Sequence, residues 1–144
     1  GSEMYIRDSC SADEISERFR KKGIQAYVRR FEPRMDVVYR LVDLALIRAG
    51  AMTIAEIIEQ EIPAIVIPSP SVMENHQDMN ADLFVEQVAG GVKLKQEFAS
   101  PEKLLELLSE CSQQGQLTSF KEKIVEFKRS MPVKSFVQYL RECL

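Results

Sequence analysis

Two uninterrupted apolar runs, Leu44-Ala-Leu-Ile47 and Ala64-Ile-Val-Ile67, constrain this chain more than anything else in it. A strand with one face in water alternates apolar and polar residues. A continuous apolar strand is buried on both faces, as in a parallel sheet with helices on each side. Between the two runs lies Arg48-Ala-Gly50-Ala-Met-Thr53-Ile-Ala-Glu56, which reads as a glycine turn leading into a helix that begins near Thr53. In an open parallel sheet, ligands bind at such strand-to-helix turns, outside the carboxyl ends of the strands. Gly50, with small Ala49 and Ala51 beside it, lets backbone approach a ligand closely, and the helix N-terminus favours an anion. The segment is a candidate phosphate seat with one carboxylate, Glu56, a turn further along.

The rest of the chain alternates in the same way. Met4-Tyr5-Ile6 is a short strand, and Ser11-Ala-Asp-Glu14 is a capping box opening a helix with Ile15 and Phe19 on one face. Gly23 stops that helix and Ile24–Val28 follows as a strand. Pro33 disfavours helix at Glu32 and suits a first helical turn itself, so a helix carrying Val37, Val38 and Leu41 follows. The segment Asn80–Val88 reads as helix, ended by Gly90-Gly91, and Val92-Lys-Leu94 as an edge strand. Ser100-Pro101-Glu102 opens a leucine-rich helix, and two more helices are expected around Phe120–Phe127 and Ser135–Leu140. Strand–helix alternation of this kind implies an α/β doubly wound, Rossmann-like parallel sheet.

Composition narrows the function classes. The 144 residues suffice for one domain with a real core, and 45% hydrophobic and 28% charged residues are ordinary for a globular domain. A net charge of −3 argues against nucleic acid as a partner. Lys121, Lys123, Lys128, Arg129 and Lys134 read as solvated helix faces. Cys10, Cys111 and Cys143 have no CxxC spacing and fit a reducing compartment, and no two His or Cys stand at metal-ligand spacing. No metal or cofactor is therefore expected. No apolar run approaches a membrane span, no Gly-x-Gly-x-x-Gly is present, and Gly1-Ser2 has the look of a tag remnant.

Several polar residues carry two readings each. Thr53-Ile-Ala-Glu56 fits a capping box as well as it fits a ligand site. His76, the only histidine, and Gln77 sit just before the helix expected at Asn80, after the irregular stretch Pro68–Asn75. Imidazole and amide groups there suit sugar hydroxyls or phosphate oxygens, but a lone His is more often structural or merely exposed than catalytic. Asn80 reads equally as a first-turn helix residue, and Phe31 as a core aromatic at a strand end. Arg48 suits a phosphate or a neighbouring carboxylate, Asp43 or Glu56.

Three segments in this order and spacing, Arg48-Ala-Gly-Ala-Met-Thr-Ile-Ala-Glu56, Pro63-Ala-Ile-Val-Ile-Pro68 and Asn75-His-Gln-Asp-Met-Asn-Ala81, resemble the C-terminal domain of family 28 glycosyltransferases. The resemblance runs from about Tyr5 to the end and is densest from Phe31 to Ala81. It implies half of a two-domain GT-B enzyme that moves N-acetylglucosamine, with inversion, from UDP-GlcNAc onto lipid I in peptidoglycan synthesis. By this resemblance Phe31 and the backbone at Glu32 meet the uracil, and Gly50, Ala51, Met52 and Thr53 face the pyrophosphate. Glu56 would hold the ribose hydroxyls, and His76, Gln77 and Asn80 the donor sugar and phosphates. No catalytic residue is assigned, because the base and the lipid I site would belong to the N-terminal domain.

The resemblance also makes the chain a partial domain over residues 3–144. It starts one strand–helix unit late, without the family's Gly-Gly-Ser-x-Gly-Ala loop, and has Arg7-Asp8-Ser9-Cys10 where His-Gln-x-Gly is often found. A missing first strand would leave a gap between the strands at Tyr5 and at Leu44–Ile47, favouring self-association or a rearranged N-terminal region. The parent would be cytoplasmic and peripheral on the bacterial inner membrane. A UDP-sugar-dependent diacylglycerol glycosyltransferase and a non-catalytic nucleotide-sugar-binding subunit are the alternatives, with a sugar-nucleotide epimerase weaker.

Overall fold

The computed structural model describes residues 4–7, 12–70 and 75–131. Cys10, Ser11, Lys134, Cys143 and the helix expected at 135–140 lie outside them. The chain divides into two compact units, Gly1–Val42 and Asp43–Leu144.

In the first unit, β1 (Met4–Arg7) and β2 (Ala26–Arg29) pair in parallel, joined by α1 (Ala12–Lys21), and α2 (Met35–Tyr39) follows. A parallel pair needs a crossover, and α1 supplies it. Gly23 ends that crossover at φ +66, in the left-handed region that glycine enters at little cost. Pro33 does not sit in the first helical turn as expected. It lies in the preceding turn, and α2 starts at Met35 after Arg34.

The second unit holds three parallel strands in the order β3 (Ala45–Arg48), β4 (Ala64–Ile67), β5 (Gly91–Lys93). Helix α3 (Ala51–Glu59) links β3 to β4, and α4 (Asn75–Asp82) links β4 to β5, continuing into a π-helical turn at Leu83–Gln87. After β5 come a 3-10 turn (Gln96–Phe98), α5 (Pro101–Cys111) and α6 (Gln116–Ser130). Ser100 caps α5 as expected, its Oγ accepting the Lys103 N–H at 3.1 Å. The last described helix is longer than the expected Phe120–Phe127.

The register sets Ile65 against Leu46 and Val92, and Val66 against Ile47 and Lys93. Side chains alternate across a strand, so these sets face opposite ways. Ile65, Leu94, Leu107 and Cys111 form one buried cluster, flanked by Ile67, Val92, Leu104, Leu108, Leu117 and Phe120. Lys93, on the other face, reaches α4. Helices thus cover both faces, as a doubly wound sheet requires. Side chains such as Ile57, Ile65, Phe84 and Ile124 are wholly buried, each worth about 1.5–3 kcal/mol against exposure. Burial holds the Cys111 thiol in its protonated form, raising its pKa, with Glu110 adding to the effect.

One expectation needs correcting. β4 is buried throughout its first three residues, as its composition demands, but β3 is not buried on both faces. Leu46 is 50% exposed. Among the described residues β3 pairs only with β4 and β1 only with β2, so each is an edge strand.

A close contact in the larger unit joins β4 to β5 at Gly91. A Cβ at Gly91 would stand 1.8 Å from the Ala64 carbonyl oxygen, and one at Gly90 would stand 2.6 Å from the Phe84 ring. A backbone oxygen cannot swing aside as a side chain can. Gly91→Ala is therefore expected to force the strands apart and destabilise the protein by about 3 kcal/mol or more. Denaturant unfolding measures this, and a loss no larger than that of an ordinary surface substitution would contradict the packing described.

Candidate functional site

The carboxyl ends of β3 and β4 open onto the first turn of α3 and the whole of α4. After Arg48 the chain passes through fully buried Ala49 to Gly50, whose extended backbone (φ −65, ψ 140) makes it the N-cap of α3. The first helical bond is Ile54 N–H to Gly50 O at 2.9 Å, and Gly50, as N-cap, has no side chain to cap this end. The helix therefore starts at Ala51, two residues before the expected start.

That register bears on the capping-box reading of Thr53-Ile-Ala-Glu56. A capping box requires Thr53 at the N-cap, outside the helix. Thr53 is instead the third helical residue, its Oγ1 beside Gly50. The N–H groups of Ala51, Met52 and Thr53 precede the first intrahelical bond and carry the positive end of the helix dipole. Met52 projects from this end, 75% exposed, and Glu56 is exposed one turn on.

Helix α4 brings the second group of residues. It begins at Asn75, not Asn80, so His76 and Gln77 lie in its first turn rather than before it. The misplacement has a physical cause. Asn75–Asp82 has only two apolar residues, Met79 and Ala81, and so no amphipathic period to read. Contacts with the strands hold it instead. Gln77 Oε1 accepts the Ser69 N–H at 3.0 Å, just past β4, and Asn80 Nδ2 donates to the Ala49 carbonyl at 2.9 Å, just past β3. A backbone N–H can be accepted only by the amide oxygen, so the Gln77 orientation is fixed and its NH2 faces away from Ser69. His76 is exposed. Arg48 donates to Gln96 Oε1 at 2.6 Å.

Thus Gly50, Ala51, Met52, Thr53 and Glu56 share one helix start, and Gln77 and Asn80 are tied to the ends of the same strands. Phe31 and Glu32 belong to the other unit. Phe31 is no core aromatic: it is 72% exposed. The Glu32 carboxylate accepts from the Tyr5 hydroxyl at 2.7 Å and from the Arg34 N–H at 2.8 Å. These bonds, the Tyr5 contact first, hold its pKa below the usual carboxylate range. Sequence reasoning did not single out Tyr5, the partner of Glu32, since it belongs to no recognisable motif. Among the described residues no cluster of three His, Cys, Asp or Glu side chains is placed to hold a metal ion. No helix among them is long and apolar enough to cross a membrane.

With this geometry in view, comparison with known proteins is informative. Residues 4–135 match the model of the glycosyltransferase family 28 C-terminal domain. The chain is 43% identical over 94 residues to a Protochlamydia amoebophila protein named UDP-N-acetylglucosamine--N-acetylmuramyl-(pentapeptide) pyrophosphoryl-undecaprenol N-acetylglucosamine transferase, covering 65% of this chain and 25% of that protein. A protein of the same name from Pseudomonas savastanoi pv. phaseolicola is 34% identical over 118 residues, 81% of this chain and 33% of that protein. The crystal structure of Acinetobacter baumannii MurG superimposes with a TM-score of 0.79 at 21% identity, covering 99% of this chain and 43% of that one, a likeness of fold. The chain therefore spans a quarter to a third of the length of these two curated relatives.

The helix register carries its own test. Removing a true N-cap threonine costs about 1 kcal/mol, whereas Thr53→Ala at a third helical position should change stability by less than about 0.5 kcal/mol. Thermal or denaturant unfolding of the variant checks this, and a full capping loss would return Thr53 to the helix boundary.

Proposed function

This chain belongs to glycosyltransferase family 28, as its C-terminal domain, and on that premise we propose that it is the donor-binding part of an inverting UDP-GlcNAc-dependent N-acetylglucosaminyltransferase. The relatives' names give the reaction, transfer of N-acetylglucosamine to an N-acetylmuramyl-pentapeptide pyrophosphoryl-undecaprenol acceptor, the lipid I of peptidoglycan synthesis. The observation that carries the reading is the start of α3. It offers backbone N–H groups behind a glycine N-cap at the carboxyl end of β3, with an exposed carboxylate one turn on.

In this reading the N–H groups of Ala51, Met52 and Thr53 receive the donor pyrophosphate. As the bond between the sugar's anomeric carbon and the diphosphate breaks, negative charge grows on UDP, and fixed donors stabilise it without reorganising. Glu56 accepts the ribose hydroxyls, and Phe31 with the Glu32 backbone serves the uracil. Gln77, through its outward NH2, and His76 serve the sugar and phosphates as neutral hydrogen-bonding groups. Asn80 holds α4 against the Gly50 turn. The acceptor hydroxyl attacks from the opposite side of the anomeric carbon, and its base and binding site lie in the parent's other domain. The parent works at the cytoplasmic face of the bacterial inner membrane, in cell-wall growth and so in cell shape and division. Among the described residues β1 and β3 each pair on one side only, which suits pairing with another strand, including one from a second copy.

The test is Glu56→Ala in the full-length enzyme. Loss of a charged partner of the ribose hydroxyls should lower kcat/KM for UDP-GlcNAc at least about tenfold, roughly 1.5–3 kcal/mol. Steady-state kinetics beside a thermal midpoint separates the alternatives. Normal donor kinetics with lowered stability would make Glu56 a structural residue.

A further inference from the structure

Helix α4 carries sugar-facing residues in the reading above, yet Asn75–Asp82 itself is mostly polar. Of its two apolar residues Ala81 is buried, while Met79 is 65% exposed. Polar tethers run from it to each strand of the sheet. Gln77 and Asn80 reach the exits of β4 and β3, and the third tether is ionic. Lys93, the last residue of β5, places its ammonium 2.9 Å from Asp78 Oδ1 and 2.5 Å from Asp82 Oδ1. The two carboxylates are four residues apart, on one face of the helix, where like charges repel. Lys93 is only 16% exposed, against 47% and 44% for its partners.

We propose that Lys93 is a positioning residue for the donor sugar: by gripping Asp78 and Asp82 it fixes the rotation of α4 and so the aim of His76 and Gln77. This rests on the donor-binding reading of α4. Asp78 directly follows Gln77, so the lysine acts within one residue of the group it aims. Two acids on one cation make the grip directional. Loss of either leaves a contact, while loss of the lysine leaves two carboxylates facing each other. Burial disfavours the charge on Lys93, but hydrogen bonds to Asp82 and Asp78 outweigh it and raise its pKa, while Asp78 is lowered by the same contact.

The experiment compares UDP-GlcNAc with UDP binding, by titration calorimetry, in full-length wild type, Lys93→Met, Lys93→Arg and Gln77→Ala. UDP lacks the sugar, so the ratio of the two dissociation constants isolates the sugar contact. Lys93→Met should raise the UDP-GlcNAc constant at least about fivefold relative to that of UDP, the lower end of ordinary coupling between linked sites. Lys93→Arg, which keeps the charge, should restore most of the ratio. The triple variant Lys93→Met, Asp78→Asn, Asp82→Asn removes the repulsion and should fold even where the single variant does not. Its ratio should still be shifted, since the grip is gone. A ratio unchanged in the folded lysine variants while Gln77→Ala shifts it would overturn the positioning role. An unchanged ratio in Gln77→Ala itself would overturn the reading of α4 as a sugar-contacting helix.

Discussion

The larger unit depends on β4, the strand hydrogen-bonded on both sides. Its Ala64, Ile65 and Val66 are wholly buried, and Gly91 brings β5 so close to the Ala64 carbonyl that no side chain fits between them. Because the strands are parallel, their carboxyl ends emerge together, and every tether of the site starts from one of these ends. Ala49 leaves β3, Ser69 leaves β4 and Lys93 closes β5. A buried parallel core thus places polar groups that have no packing of their own to place them.

What was legible in the sequence follows from the same division. Ala64–Ile67 announced itself, since an apolar run without alternation has few homes other than a doubly covered strand. The glycine turn into α3 was legible too, because Gly50 between two alanines leaves little else to build. The helix boundary was not. Thr53-x-x-Glu56 has the letters of a capping box, and only the Ile54-to-Gly50 bond shows that the helix starts earlier. β3 misled because composition cannot tell an edge strand from a central one. Leu46 belongs to a run as apolar as that of β4, yet half of it meets solvent.

Helix α4 was the least legible element, and the reason bears on function. Periodicity is the signal that sequence reading uses, and periodicity exists where a helix buries an apolar stripe. Asn75–Asp82 spends its residues on amides and carboxylates that bond to the three strand ends. Such contacts are long-range and leave no local pattern. A helix whose polar side chains tie it to distant strand ends looks like a loop until the strands are in place.

The central claim is that the start of α3 is an anion seat, and backbone amides report it most directly. In a ¹⁵N–¹H correlation titration of the full-length protein with UDP, the largest shifts are expected at the Ala51, Met52 and Thr53 amides, next to Gly50. Uridine, which lacks the diphosphate, should leave them nearly unmoved. Shifts that spare these three amides while UDP binds elsewhere would contradict the account.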